Sequence, residues 1–324
     1  MSITFDQDER PFLVRPEGEE NQGPSLSFEF FPPRTKAAAQ RFKETSRKLA
    51  SLSPELMTIT YGAGGTTKRE TRECAEKLQR SSSAPVAAHI TAVGATRDEV
   101  DTVARRYWHA GIHRLLALRG DPPRSCGTYR PHPGGYDTAA DLVAGLKKIA
   151  DFEIGVAAYP EVHPDAVSLE ADLDNLKRKV DAGASFAITQ FFFDPTIFLR
   201  FLERARAHGI WIPIRPGILP IHDLRQVKAF ADDCGSTIPK VISDLFSEAG
   251  SKDTVDPGLS VLITSEICRF LRERGVETFH FYTLNRAEIV YPVCQMLALN
   301  APGDGATEEF VTRIGTEAGT LEGI

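Results

Sequence analysis

The sequence predicts an α/β chain folded as a single-domain (β/α)8 TIM barrel, and three observations carry that reading. Short β-rich runs alternate with helical stretches along the chain, which implies a parallel sheet with helical crossovers. Eight such units fall within the 324 residues, the scale of a closed barrel. No GxGxxG follows an early strand, as an open dinucleotide-binding sheet would carry, and "YGAGGTTK" has neither that spacing nor a Walker pattern.

The strands are expected at Leu26–Phe31, Met57–Tyr61, Val86–Thr91, Arg114–Leu118, Glu153–Ala158, Phe186–Phe192, Trp211–Ile218 and Thr278–Thr283. Helical patterns fill the gaps, among them "AAAQRFKETSRKLASL", "DEVDTVARRYWHAG", "LEADLDNLKRKVDAG" and "DLRQVKAFADD". These stretches tend to stop at Gly or before Pro, as helices do. The expected layout is a loosely ordered lead-in over 1–24, a catalytic barrel over 25–302 and a C-terminal tail over 303–324.

Composition narrows the function classes. With 42% hydrophobic and 25% charged residues the chain reads as soluble and globular. A net charge of -6 without a basic block argues against nucleic acid as partner. No apolar run approaches the roughly 18 residues of a membrane span, and the acidic N-terminus lacks a signal-peptide core. Five scattered cysteines without a CxxC pair suit free thiols in a reducing cytoplasm.

A barrel of this kind places its active site at the C-terminal strand ends. Glu29, Thr60, Tyr61, His89, Thr91, Arg119, Asp121, Tyr159, His163 and Gln190 all fall there, as a shared ligand pocket would require. In "SFEFFPPR", strand alternation puts Ser27, Glu29 and Phe31 on one face and Leu26, Phe28 and Phe30 on the other. Glu29 then points into the barrel, where desolvation would raise its carboxyl and make it a proton donor. An ion pair with a neighbouring Arg or Lys is the alternative. In "LRGDPP", Arg119 can fork onto a phosphate or carboxylate, and Gly120 allows close backbone approach. The same residues also suit an ordinary turn. On the helix after strand five, Leu169, Leu173, Leu176 and Val180 form the packing stripe. Asp172, Asn175, Arg178 and Lys179 form a neighbouring one, which is either a solvated face or a grip on phosphate and ribose groups. There is no HxH on strand one, no lysine in a strand and no GxSxG turn, so metal, Schiff-base and serine-hydrolase readings recede. An organic cofactor is left to do the chemistry.

Seven segments in order, "SFEFFPPRT", "TYGA", "LRGDPP", "AAYPEVHP", "NLKRKVDAGASFAITQFFFD", "PGILP" and "FHFYTLNRAE", resemble the bacterial, single-domain 5,10-methylenetetrahydrofolate reductases. The resemblance implies a flavoprotein barrel that binds FAD. It implies hydride transfer from NADH or NADPH to the flavin and then to the folate substrate, giving 5-methyltetrahydrofolate for methionine synthesis. Ping-pong kinetics follow from the shared flavin. By the same match Glu29 is the general acid and Asp121 lies beside flavin and pterin. FAD contacts map to Thr60, Tyr61, Ala63, His89, Arg119, Gly120, Asp121, Ala139, Tyr159, His163, Asp172, Asn175, Arg178 and Lys179. Gln190, Gln226, Phe230 and Arg286 map to positions that meet folate or the nicotinamide nucleotide. A cytoplasmic homo-oligomer, without the regulatory domain of larger relatives, is expected. Two departures stand out: Thr138 occupies the place of a family tyrosine, for which Tyr136 or Tyr129 could substitute, and "GAGGTTK" leaves NADH against NADPH open. A flavin-dependent barrel oxidoreductase acting on another substrate is the rival reading.

Overall fold

Eight parallel strands close on themselves in sequence order in the computed structural model, which describes residues 23–61, 68–121, 129–248 and 255–298. The strands are β1 (Ser25–Phe30), β2 (Leu56–Ile59), β3 (Val86–Thr91), β4 (Arg114–Leu118), β5 (Glu153–Ala158), β6 (Phe186–Phe191), β7 (Ile214–Ile218) and β8 (Thr278–Tyr282). Closure comes from β1 pairing with β8, with Ser27 opposite His280 and Glu29 opposite Tyr282.

Helices α1 (Lys36–Ala50), α2 (Lys68–Ser81), α3 (Arg97–His109), α4 (Ala139–Ile149), α5 (Leu169–Asp181) and α6 (Pro195–Ala207) make the first six crossovers. The last crossover holds three: α7 (Leu224–Cys234), α8 (Lys240–Glu248) and α9 (Pro257–Glu273). Helix α10 (Val290–Ala298) follows β8. Local chemistry sets several of the starts. Thr96 and Glu99 form a capping box on α3, Thr138 and Asp141 form one on α4, and Ser168 caps α5.

Alternation along each strand divides the apolar side chains into two cores. The larger lies between sheet and helices and takes Phe28, Phe30, Met57, Ile90 and Phe281. The smaller fills the barrel interior with Leu56, Ala87, Leu116, Phe186 and Ile188. Gly217 is required there, because a Cβ would sit 2.1 Å from the Thr189 carbonyl and against the Tyr282 ring.

The strand expectations hold at β3, β4 and β5 to the residue, and elsewhere differ at the ends. The largest difference is β7, which starts at Ile214 and not at Trp211. Trp211 is 72% exposed, and Pro213, with no N–H to give the ladder, precedes the strand. Phe31 lies past the end of β1 and is exposed, so it does not share the inward face with Ser27 and Glu29. Among the described residues, no helix is long and apolar enough to cross a membrane.

Candidate active site

Glu29 points into the barrel, as alternation requires, but its surroundings are not the phenylalanines that flank it in sequence. Phe28 and Phe30 are buried on the helix side, while the carboxylate meets two imidazoles. Glu29 Oε2 lies 3.3 Å from His89 Nε2 on β3 and 3.5 Å from His280 Nε2 on β8. Burial pushes this carboxyl up, yet the adjacent His89 and His280 outweigh it and draw the carboxyl down to about 2. The expectation of a carboxyl held protonated by apolar neighbours is therefore corrected: Glu29 belongs to a carboxylate–imidazole cluster. Burial in turn pulls the His280 imidazolium below its ordinary value.

A cleft of about 460 Å³ opens at the C-terminal ends of β4 and β5. Ten of the residues matched to FAD line it: Arg119, Gly120, Asp121, Ala139, Tyr159, His163, Asp172, Asn175, Arg178 and Lys179. Three cations from two elements thus converge on one space. Gly120, at φ +83, makes the turn out of β4, and a Cβ there would lie 2.5 Å from Val93. The Arg119 guanidinium bonds Asp165 at 2.7 Å and lies 4.5 Å over the Tyr129 ring.

The loop after β5 is braced from below. Asp172, buried on α5, accepts the His163 backbone N–H at 2.9 Å. The Asp165 N–H donates to His163 Nδ1 at 2.9 Å, which leaves the ring proton on Nε2. Burial, with Arg119 nearby, pulls the His163 imidazolium down. Lys179 is also buried, and its ammonium donates to the Ala157 carbonyl at 2.9 Å. No carboxylate lies within ion-pair distance of it among the described residues. Burial lowers this amine to about 8, with Arg119 and Arg178 adding to the fall and Asp172 opposing it. A buried cation facing a cleft with further cations is a site for an anion. The apolar walls, Ala117, Leu118 and Ala157, suit a ring system at the other end. The donor set therefore fits a dinucleotide such as FAD.

Other expected contacts stand apart from the cleft. His89 joins the Glu29 cluster, and Thr60 and Tyr61 follow β2. Thr60 accepts the Thr71 hydroxyl through its carbonyl, and burial raises the Tyr61 phenol to about 12. Ala63 lies outside the described residues. Gln190 is half-buried on β6, and its side-chain carbonyl accepts the Phe191 N–H. Gln226 and Arg286 are exposed, while Phe230 on α7 packs partly against the core.

The two tyrosine candidates separate. Tyr129 lines the cleft, whereas Tyr136 is buried under α4 and donates its hydroxyl to Asp101 at 2.7 Å. Thr138 is committed to capping α4. The sequence reading missed Asp137 and Asp165 on the cleft wall; beside Glu29 it put Ser27 on the shared face without giving it a role, and it missed His280. The last two carried a signal: each is a lone polar residue between apolar ones on a strand, on the barrel-facing side.

Tyr282 stands beside the cluster, opposite Glu29 in the β1–β8 pairing and edge-on to His280. Burial raises its phenol, and both Glu29 and Tyr159 lie close enough to add to the rise. Its hydroxyl is anchored on the Thr189 carbonyl at 2.7 Å.

Known proteins resemble this chain in sequence and, separately, in fold. The methylenetetrahydrofolate reductase family model matches residues 16–298. A 5,10-methylenetetrahydrofolate reductase of Salmonella typhimurium is 45% identical over 86% of this chain and 92% of its own length. The Escherichia coli enzyme of that name is 44% identical over the same shares. Among solved structures, a Clostridium thermocellum protein described as binding two copies of 5-methyl-5,6,7,8-tetrahydrofolic acid superposes with a TM-score of 0.60. It covers 86% of this chain and 95% of its own at 15% identity, which is a likeness of fold alone. With the family model spanning all eight strands and close relatives matched nearly end to end, the chain belongs to the methylenetetrahydrofolate reductase family.

Proposed function

We propose that this protein reduces 5,10-methylenetetrahydrofolate to 5-methyltetrahydrofolate with FAD as cofactor and NADH or NADPH as hydride source. The carrying observation is the cationic cleft at the ends of β4 and β5, in the same barrel as a buried carboxylate that meets two imidazoles. Arg119, Arg178 and Lys179 would hold the diphosphate of FAD, with Asp172 and Asn175 on its ribose. Bound there, FAD would supply two-electron hydride transfer between the nicotinamide nucleotide and the folate.

The chain's own residues do the rest. Glu29 delivers a proton to the ring nitrogen of the folate that leaves as the five-membered ring opens, a contribution of about 10²–10⁴-fold for general acids. Asp121, exposed at the end of β4, favours the cationic iminium that results. Gln190, next along β6 from Thr189, whose carbonyl accepts the Tyr282 hydroxyl, would orient the folate. Tyr129 takes the role of the missing family tyrosine, stacked on Arg119 at the cleft wall.

Purified protein should be yellow, bleach with anaerobic NADH or NADPH, and recolour on addition of 5,10-methylenetetrahydrofolate. Parallel lines in double-reciprocal plots would mark the ping-pong order. A preparation that takes up no FAD, or a reduced flavin that folate does not reoxidise, ends this reading.

A further inference from the structure

His280 is fully buried inside the barrel, and its two ring nitrogens face different partners. Nδ1 lies 2.9 Å from the Ser27 hydroxyl, and that hydroxyl lies 3.1 Å from the Phe279 carbonyl. A carbonyl only accepts, so a Ser27 proton given to Phe279 leaves Oγ as an acceptor for His280. His280 then carries its ring proton on Nδ1. The consequence falls on Nε2, which faces Glu29 Oε2 at 3.5 Å and has no other hydrogen-bond partner among the described residues. In a neutral Nδ1–H imidazole that nitrogen is a bare lone pair. A lone pair set against a carboxylate oxygen in a dry interior is costly, and one proton between them removes the cost.

We propose that Ser27, His280 and Glu29 form a proton-holding triad, in which Ser27 fixes the imidazole tautomer and the Glu29–His280 gap stores the proton consumed in folate reduction. This rests on the reading of Glu29 as the acid. In the proton-transfer step the stored proton leaves on a Glu29 O–H bond. That bond breaks as an N–H bond forms on the departing ring nitrogen, which keeps the electron pair of its broken C–N bond. Glu29 is left as a carboxylate and His280 as the neutral Nδ1–H form, and one proton from solvent restores the gap. His280 and Ser27 touch no substrate atom in this scheme; they are positioning residues.

The groups around His280 set the direction of its pH dependence. Glu29 from β1 favours the imidazolium, whereas burial first, then His89 from β3 and Arg215 from β7, disfavour it. The Tyr282 ring on the same strand stands edge-on 5.3 Å away. His89 faces the same Glu29 oxygen at 3.3 Å, but among the described residues no side-chain hydroxyl fixes its tautomer. The gap therefore empties below the ordinary imidazole value, and folate reduction should quicken toward acid.

The test uses full-length protein labelled with ¹⁵N-histidine, free of substrate, in NMR titrations. His280 should be protonated on Nδ1, and Glu29→Gln should lower its titration by at least about one pH unit. Ser27→Ala, a small change that leaves the strand intact, should let the Nε2–H form appear. An Nε2–H tautomer in the parent protein, or a His280 titration unmoved by Glu29→Gln, would overturn the triad. Single-turnover folate reduction separates this inference from the acid reading beneath it. Normal turnover by Glu29→Gln would remove the acid and the triad together. A loss of about 10²-fold or more in Glu29→Gln, with the parent pH profile kept in both His280→Gln and Ser27→Ala, would leave the acid standing and remove the triad. The triad instead requires the acid limb of the profile to move in both of those variants.

Discussion

Replacing Lys179 by methionine should make the cofactor-free protein more stable, although it removes a hydrogen bond. The ammonium is 6% exposed, and burial lowers it from 10.5 to about 8. That fall corresponds to a cost of roughly 3 kcal/mol for carrying the charge in the folded state. Methionine keeps the apolar stem. The lost bond to the Ala157 carbonyl takes back about 1 kcal/mol, leaving a net gain of about 2 kcal/mol. The pH window follows from the sign. Below about 8 the lysine is charged in both folded and unfolded states, and the cost is fully present. Between about 8 and 10.5 the folded protein has shed the proton that the unfolded chain still binds, so the parent gains on the variant as pH rises. Urea denaturation of both proteins at neutral pH and above pH 10 reads this difference directly. FAD titration should show the opposite preference, with affinity in the variant reduced by about tenfold or more through loss of a charged hydrogen bond. A variant less stable than its parent at neutral pH, or a gap that does not narrow with pH, would refute the account of Lys179 as a buried cation awaiting an anion.

Tyr129→Ala should weaken FAD binding by about three- to tenfold, the worth of an exposed cation–π contact to Arg119 plus lost wall area; fluorescence titration measures it. Gly120→Ala should cost about 1–3 kcal/mol in denaturation midpoints, because a Cβ at φ +83 meets Val93 at 2.5 Å, and it should also impair FAD uptake. At the opposite end of the barrel, Glu55→Gln should destabilise by about 3 kcal/mol, since it strips the buried Arg215 of its counter-charge. Burial works against ionised Glu55, but Arg215 and Ser25 outweigh it and hold the carboxyl below 4.5. Its stabilising effect is therefore present above pH 4.5 and lost as the pH falls through the lower folded value, a dependence the variant should lack in acid unfolding.

Local chemistry alone settled most of the barrel. Strands β3, β4 and β5 are bounded by breakers close in sequence, so their ends are readable. At β7 an apolar run, "WIPI", continues across a proline, and hydrophobicity alone could not say that Trp211 stays in water. The cleft was legible for a similar reason. Asp172, Asn175, Arg178 and Lys179 recur at helical spacing, so one helix face presents them together wherever it packs.

The environment of Glu29 was not legible. Sequence placed it among Phe28, Phe30 and Phe31, but a strand sends its neighbours to the other face or past its end. What touches the carboxylate comes from β3 and β8, 60 and 251 residues away in numbering, and meets it only when the barrel closes. The sequence by itself determined the alternation of strands and helices, the inward direction of Glu29 and the shared face on α5, because each depends on spacing within one element. Tertiary closure alone decided that two imidazoles would face that acid, that Tyr129 and not Tyr136 would reach the cleft, and that Lys179 would lie buried. Those outcomes depend on distances between elements, which local periodicity does not encode.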